Sequence, residues 1–298
     1  MKPCSLCGAC IAVCPTKALS IIDEKIHLNK EKCIGCSICK KVCPDMTLTK
    51  DINIKYSAKA KTRLENIAQI AQNGGVASTI VYALLEEKAV DEAVAAARDF
   101  NAPRAISITN SSDAVKISGS RYFYTPILQE IDFSRVKDKK VCIIGLPCHI
   151  RAAFNLEKLM GVKFLKIGLF CFKNFYLSSI KNILESNNIN VEKINRMEVV
   201  KKDLKIYIGS SIVSIKLSEL KSSTKCLSCK CFIPFEADIA LGNAGSSPSE
   251  TTILVLSNDG LKALEVAEKY LEVDSNVNIY QVLKMQKIKE KIASKKKI

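Results

Sequence analysis

The run Cys4-x2-Cys7-x2-Cys10-x3-Cys14-Pro15 recurs, gap for gap, as Cys33-x2-Cys36-x2-Cys39-x3-Cys43-Pro44. No other feature constrains the fold as strongly, because a chain with this pattern must wrap its first fifty residues around metal. The spacing is that of bacterial ferredoxins, in which three close thiolates hold one [4Fe-4S] cluster and the fourth crosses over to its twin. The predicted ligand sets are Cys4, Cys7, Cys10 and Cys43 for one cluster, and Cys33, Cys36, Cys39 and Cys14 for the other. Soft iron calls for soft thiolates, and the proline after each run stops the loop before the next segment. Structural zinc sites rarely repeat four cysteines at these gaps, and a disulfide framework belongs to shorter, secreted chains. The run therefore implies electron transfer.

The repeat fills only a small part of 298 residues, so it reads as an appendage to a body large enough for its own core. The composition predicts a soluble, cytoplasmic protein: the chain has no apolar leader, and its densest apolar stretches, near Val141–Leu146 and Phe164–Phe172, are short enough to be buried strands. The formal charge is +15, from 45 basic and 30 acidic residues. Three bound clusters at about −2 each would still leave a surplus. Nucleic acid is a poor explanation, since no recognition motif is present, Trp is absent and aromatics make up 6% of residues. An anionic coenzyme or an acidic electron carrier fits a diffuse positive field better. The lysines between Lys284 and Lys297 read as a basic helix end or a frayed tail, with a solvated charged tail as the simpler reading.

Along the body, residues 51–72 read as a linker with a short polar helix, and Gln72-Asn73-Gly74-Gly75 is a turn before helical spacing at Val76, Ile80 and Leu84. Strands are predicted at Ala105–Thr109, Lys140–Ile144 and Phe164–Phe170, with helices from about Ser111 and over His149–Leu159. Met197–Val200 and Leu204–Ile208 form a hairpin with Ile212–Leu217 as a third strand; Asp238–Leu241 and Thr252–Leu256 are short strands, and Leu261–Leu271 is an amphipathic helix. The fold class is mixed α/β, a small bacterial-ferredoxin-like module followed by a larger body around one mixed sheet.

Six cysteines lie outside the repeat. Cys148 follows Gly145-Leu146-Pro147, Cys171 follows Gly168-Leu169-Phe170, and Cys226-x2-Cys229 follows a Ser-Ser-Thr-Lys loop. Loops at strand ends are where α/β folds carry functional groups. Cys142 lies within a strand and reads as a small buried hydrophobe, whereas Cys231 could be a ligand or could pack. Spacing alone leaves a third cluster and half of a zinc site as rival readings of the C-x2-C pair.

Asn73-Gly74-Gly75-Val76, Ser118-Gly119-Ser120-Arg121-Tyr122, Gly145-Leu146-Pro147-Cys148-His149, Gly168-Leu169-Phe170-Cys171, Lys225-Cys226-x2-Cys229 and Ala237-Asp238-Ile239-Ala240-Leu241-Gly242-x2-Gly245 occur in this order. This succession resembles the family of coenzyme F420 hydrogenase/dehydrogenase beta subunits from about Gly74 to Leu264. The resemblance implies FAD beside a [4Fe-4S] cluster, with hydride exchanged between the flavin and coenzyme F420. It makes Cys148, Cys171, Cys226 and Cys229 the ligands of a third cluster. It also implies ferredoxin or the subunits of a larger redox complex as partners, with any membrane association peripheral and through that complex. Two departures stand out. The family commonly has Thr-Pro-Cys-Gln where this chain has Leu146-Pro147-Cys148-His149, and commonly Asp-Phe where this chain has Cys231-Phe232.

The resemblance divides the chain into a two-cluster ferredoxin domain over 1–50, a linker over 51–72, a flavin and iron–sulfur body over 73–280 and a basic tail over 281–298. Gly74, Gly75, Ser78, Ser120 and Arg121 are the candidate flavin contacts. Glycines before a helix let backbone N–H groups approach a pyrophosphate, and a guanidinium can pair with phosphate. Read without the family, the same residues make an ordinary glycine turn and a solvated arginine. His27 and His149 are the only histidines, and neither suggests a general base. Hydride transfer between ring systems needs alignment more than acid–base groups. Reduction of another molecule, such as a conjugated tetrapyrrole, and a non-enzymatic multi-cluster carrier remain the other readings.

Overall fold

The computed structural model describes residues 3–295. The first fifty residues form two loop–helix units, α1 (Ala9–Ala12) and α2 (Ile38–Val42), joined by a hairpin of β1 (Leu19–Ile22) and β2 (Lys25–Leu28). Gly8 and Ser37 occupy the same place in the two cysteine runs, and both take the left-handed conformation that starts the helix, with φ of 87° and 59°. The hairpin turns on Asp23 and Glu24, both at positive φ, as a two-residue loop between twisted strands requires.

The body carries the remaining elements: β3 (Tyr56–Thr62), α3 (Glu65–Ala68), α4 (Val76–Glu86), β4 (Glu92–Ala96), β5 (Ala105–Ile108), α5 (Phe133–Val136), β6 (Val141–Gly145), α6 (Pro147–Met160), β7 (Phe164–Leu169) and α7 (Leu177–Ser186). They continue with β8 (Ile194–Val200), β9 (Asp203–Ile208), β10 (Ser211–Lys216), α8 (Thr224–Leu227), β11 (Ile239–Gly242), β12 (Thr251–Val255), α9 (Asn258–Ala267), β13 (Leu271–Asp274) and α10 (Ile279–Lys295). Eight strands form one mixed sheet in the order β13-β3-β12-β11-β7-β6-β4-β5. Its centre, from β11 through β7 and β6 to β4, is parallel, and the flanking pairs are antiparallel.

The central strands are buried on both faces, so they read as continuous apolar runs. Along β6 the period of two is visible in the packing. Cys142 and Ile144 join the core under α4 and α9, while Val141 and Ile143 join the core under α6. The family-independent expectation for Cys142 holds, since it is fully buried. A single body sheet does not form: β8, β9 and β10 make a separate antiparallel sheet, packed with α7 around Met197, Leu204 and Ile206.

Three boundaries differ from those expected. Residues 51–72 contain β3, an interior strand between β13 and β12, because Ala58 and Ala60 are small enough to pack beneath the helices. The cysteine module is built into the body, since Ala9, Val13 and Val42 share a core with Ala152, Leu156 and Phe164. Gly8 there lies close to the backbone of Pro126 and Gln129, and the Leu128 N–H donates to the Cys7 carbonyl at 3.1 Å. Most of the expected basic tail is helix α10, whose Val282, Gln286, Lys289 and Ala293 are buried at helical spacing; residues 296–298 lie outside the described ones. No helix among the described residues is long and apolar enough to cross a membrane.

Candidate metal centre

Parallel strands deliver their C-terminal ends to one edge of the sheet, and two body cysteines stand there. Cys148 lies just past β6 in the first turn of α6, and Cys171 lies just past β7. Pro147 at the start of α6 is favourable because a first-turn N–H needs no partner in the helix. Cys226 and Cys229 arrive from the α8 loop. The Ser223 side chain caps that short helix by accepting from the Cys226 N–H at 3.1 Å, and the Ser223 N–H donates to the Tyr124 hydroxyl at 3.0 Å.

Cys148, Cys171, Cys226 and Cys229 line a single cavity, together with Tyr124, His149 and Lys289 from the body and Ser5 and Met46 from the cysteine module. The cavity thus lies where module and body meet. The Asn174 N–H donates to Cys226 Sγ at 3.4 Å. Lys289, sent in by α10, donates from Nζ to the Cys171 carbonyl at 2.6 Å. Gln286, one turn earlier, accepts from the N–H groups of Phe232 and Ile233 at 2.8 and 3.0 Å and donates to the Lys230 carbonyl, which fixes the segment after Cys229.

Cys231 also lines the cavity, but its thiol is turned to the module and donates to the Leu48 carbonyl at 3.3 Å. The neighbouring Cys231 and then the nearby Lys289 ammonium lower the Cys229 thiol below its ordinary range against burial. Contact with Cys229 and burial hold Cys231 well above the ordinary thiol range. Burial, then the neighbouring Cys7 and the other cavity cysteines, raises Cys148 well above it too. Cys171 is pushed up to about 12 by burial, a rise that Lys289 opposes. Thiols raised in this way, as Cys148 and Cys171 are, ionise at neutral pH only when a metal takes the place of the proton. Burial lowers His149 to about 4, so its imidazole is neutral, and Nδ1 accepts from the Leu146 N–H at 3.0 Å.

In the module, Cys10 lies within electrostatic reach of Cys7, Cys4, Cys43 and Cys39, and Cys7 within reach of Cys4 and Cys43. The chain therefore brings the distant Cys43 to Cys4, Cys7 and Cys10. Burial pushes both Cys7 and Cys10 up to about 12. Cys14 behaves differently: burial would raise it, but N–H donors led by Ala18, at 3.2 Å from its sulfur, lower it. Cys33 and Cys36 are exposed at the outer end of the module. No group of three or more His, Cys, Asp or Glu among the described residues is arranged to clasp a single metal ion. A four-iron cube is wider than one ion and needs its thiolates further apart, so an all-thiol, largely buried set of four suits the larger group.

The candidate flavin residues gather around the N-terminus of α4. Gly75, at φ 70°, starts that helix with no side-chain cap, and the Ser118 hydroxyl donates to Ser78 Oγ at 2.8 Å, joining the two loops. Gly74 has a packing role of its own, because a Cβ there would collide with the Ala60 carbonyl and Thr251. Ser120 is half-buried in the same loop. Arg121 is no solvated arginine: its guanidinium donates to the carbonyls of Ala96 and Ser118 at 2.9 and 3.2 Å, while its buried Nε has no partner among the described residues. Burial and the adjacent Arg98 lower it to about 10. The uncapped helix end and the orphan Nε are donors without acceptors, which fits an anionic group of the flavin pyrophosphate kind.

Sequence reasoning missed Tyr124 and Lys289. Lys289 was hidden in a lysine-rich stretch, although its spacing from Val282, Gln286 and Ala293 is helical. Tyr124 had no signal, since a buried hydroxyl is recognised only by the partners that folding supplies.

Similarity to known proteins covers both module and body. Residues 56–132 match the N-terminal family model of the coenzyme F420 hydrogenase/dehydrogenase beta subunit, residues 138–278 match the corresponding C-terminal model, and residues 3–59 match a 4Fe-4S dicluster domain. A coenzyme F420-dependent sulfite reductase of Methanocaldococcus jannaschii is 27% identical over 97% of this chain and 49% of its own length. This chain thus spans about half of that relative. One of the subunits of the F420H2 dehydrogenase of Methanosarcina mazei is 27% identical, covering 91% of this chain and 84% of its own. A chain of the F420-reducing NiFe hydrogenase complex from Methanosarcina barkeri shares the fold, with a TM-score of 0.71 over 85% of this chain and 93% of that one at 22% identity. On both halves of the body, this protein belongs to the family of coenzyme F420 hydrogenase/dehydrogenase beta subunits, with a 4Fe-4S dicluster domain in front.

Proposed function

We propose that this protein is an iron–sulfur flavoprotein that exchanges hydride between coenzyme F420 and FAD and passes single electrons through three [4Fe-4S] clusters. The outlet is ferredoxin or a partner complex. One observation carries the reading: Cys148, Cys171, Cys226 and Cys229, widely separated in sequence, line one cavity, and Cys148 lies within electrostatic reach of Cys7. A bound flavin supplies the conversion between two-electron and one-electron chemistry. Gly75, Ser78, Ser120 and Arg121 are the residues that would hold its anionic part, with Gly74 allowing the loop to pack. The four body cysteines would hold the third cluster, and the two module sets the others.

Several residues serve that role without touching a cofactor. Arg151 of α6, buried and paired with Glu236 at 3.1 Å, donates to the carbonyls of Asp45 and Leu48 and clamps the module against the body. Lys225 Nζ stands 4.0 Å from Cys43 Sγ, linking the C-x2-C loop to the first module set. Electron transfer falls off steeply with distance, so fixing these two sets against each other is what the fold contributes. The surplus positive charge suits both the anionic coenzyme and an acidic carrier.

A second reading draws on the M. jannaschii relative, named for sulfite reduction, of which this chain matches about half. On that reading the chain is the F420-oxidising half of a reductase, and a separate partner reduces the final substrate. The test for either is anaerobic: reduced F420 is mixed with the reconstituted protein and a viologen acceptor. Oxidation of F420 coupled to viologen reduction is the expected result. A fully loaded protein that leaves F420 untouched would overturn the assignment.

A further inference from the structure

Among the lysines of α10, Lys284, Lys287, Lys291 and Lys295 are exposed, while Lys289 is turned inward and is 4% exposed. Its Nζ donates to the Cys171 carbonyl at 2.6 Å and lines the cavity with all four body cysteines. No carboxylate among the described residues lies within ion-pair distance of it. A buried ammonium without a carboxylate is costly, and packing alone would favour an apolar residue at this point of the helix. Among the described residues, the groups lining the cavity that can become anions beside it are the cysteine thiols. Among the described residues, the two other deeply buried lysine and arginine side chains show the contrast, since Arg151 is paired with Glu236 and Lys166 with Glu157 at 2.7 Å.

We propose that Lys289 is a positioning residue for the body iron–sulfur centre, its ammonium balancing the charge of the four thiolates and raising the centre's reduction potential. The inference rests on the reading of Cys148, Cys171, Cys226 and Cys229 as ligands. A four-thiolate cluster carries about −2 when oxidised and about −3 after it accepts one electron. Burial in a largely apolar cavity disfavours the more negative state, and a fixed positive charge beside the ligands favours it. Lys289 also ties Cys171 to α10, so the geometry of one ligand and the charge near all four are set by the same side chain.

The experiment compares the full chain, reconstituted anaerobically, with its Lys289→Met and Lys289→Arg variants, by iron and sulfide content and by redox titration followed by electron paramagnetic resonance. The two module clusters serve as the internal reference. Lys289→Met is expected to lower the potential of the body centre by about 59 mV or more, a tenfold change in its one-electron equilibrium, with Lys289→Arg shifting it less. If Lys289→Met instead loses only the body centre while Lys289→Arg keeps it, the requirement for charge is also supported. An unchanged potential in Lys289→Met, or loss of the centre in both variants, would overturn the proposal. Iron for only two clusters in the unmutated protein would overturn the ligand reading itself, and with it this inference, and so is told apart from a failure of Lys289.

Discussion

Cys229 and Cys231 are two residues apart, both buried, and chemically opposed. Cys229 is held toward the thiolate and faces the cavity with Cys148, Cys171 and Cys226, whereas Cys231 keeps its proton and donates it to the Leu48 carbonyl. Cys231→Ala is therefore expected to keep all the iron of the unmutated protein and to lower stability by about 1 kcal/mol, the net worth of one hydrogen bond, in a denaturant titration. Iron loss in that variant would make Cys231 a ligand. Cys148→Ala is expected to remove about four irons while leaving the electron paramagnetic resonance signals of the two module clusters, because those ligands lie elsewhere in the chain. Among single residues, the sequence was informative wherever chemistry depends on spacing. The eight module cysteines announce themselves, and the four body cysteines are suggested by their loops and by the resemblance. Lys289 and Tyr124 were silent, because their roles come from burial and from partners far away in sequence.

The hairpin β1–β2 sends Glu24 across to the body, where its carboxylate accepts from the N–H groups of Leu177 and Ser178 at 2.6 and 3.1 Å. These are orphan donors in the first turn of α7, and a carboxylate there also complements the helix dipole. Glu24→Ala is expected to cost about 1–2 kcal/mol and to speed hydrogen exchange at Leu177 and Ser178 without changing iron content. Unchanged exchange at those amides would show that the latch carries no weight. Most elements were legible in the sequence: β6, α6, β7, β9, β11 and β12 lie where apolar runs and turn residues place them. Those that escaped share a cause. β4 is Glu-Ala-Val-Ala-Ala and β3 alternates Lys with Ala between Tyr56 and Thr62, so both are poor in the β-branched and aromatic residues that mark strands, and pairing in the sheet defines them. The inward face of helix α10 escaped because it carries Gln286 and Lys289 among apolar residues, and the lysines around them read as solvent-facing charge.

On the proposed function, the two cysteine runs are one end of an electron path that begins in the body. Module and body share a core, Arg151 and Glu24 fix one to the other, and the body cavity lies at their junction beside Cys7. At the far end, Cys33 and Cys36 are exposed next to Ile34, which is 67% exposed, and beside Lys30, Lys32, Lys40 and Lys41. That order, from a buried centre through the first module set to an exposed one with a basic surround, is what an outlet to an acidic carrier requires. Anaerobic purification followed by iron, sulfide and flavin quantification is the decisive measurement for such a path. About twelve irons, about twelve sulfides and one flavin per chain are expected, as three four-iron clusters and one flavin require. About eight irons and no flavin, in a protein that is folded and reconstituted, would contradict it.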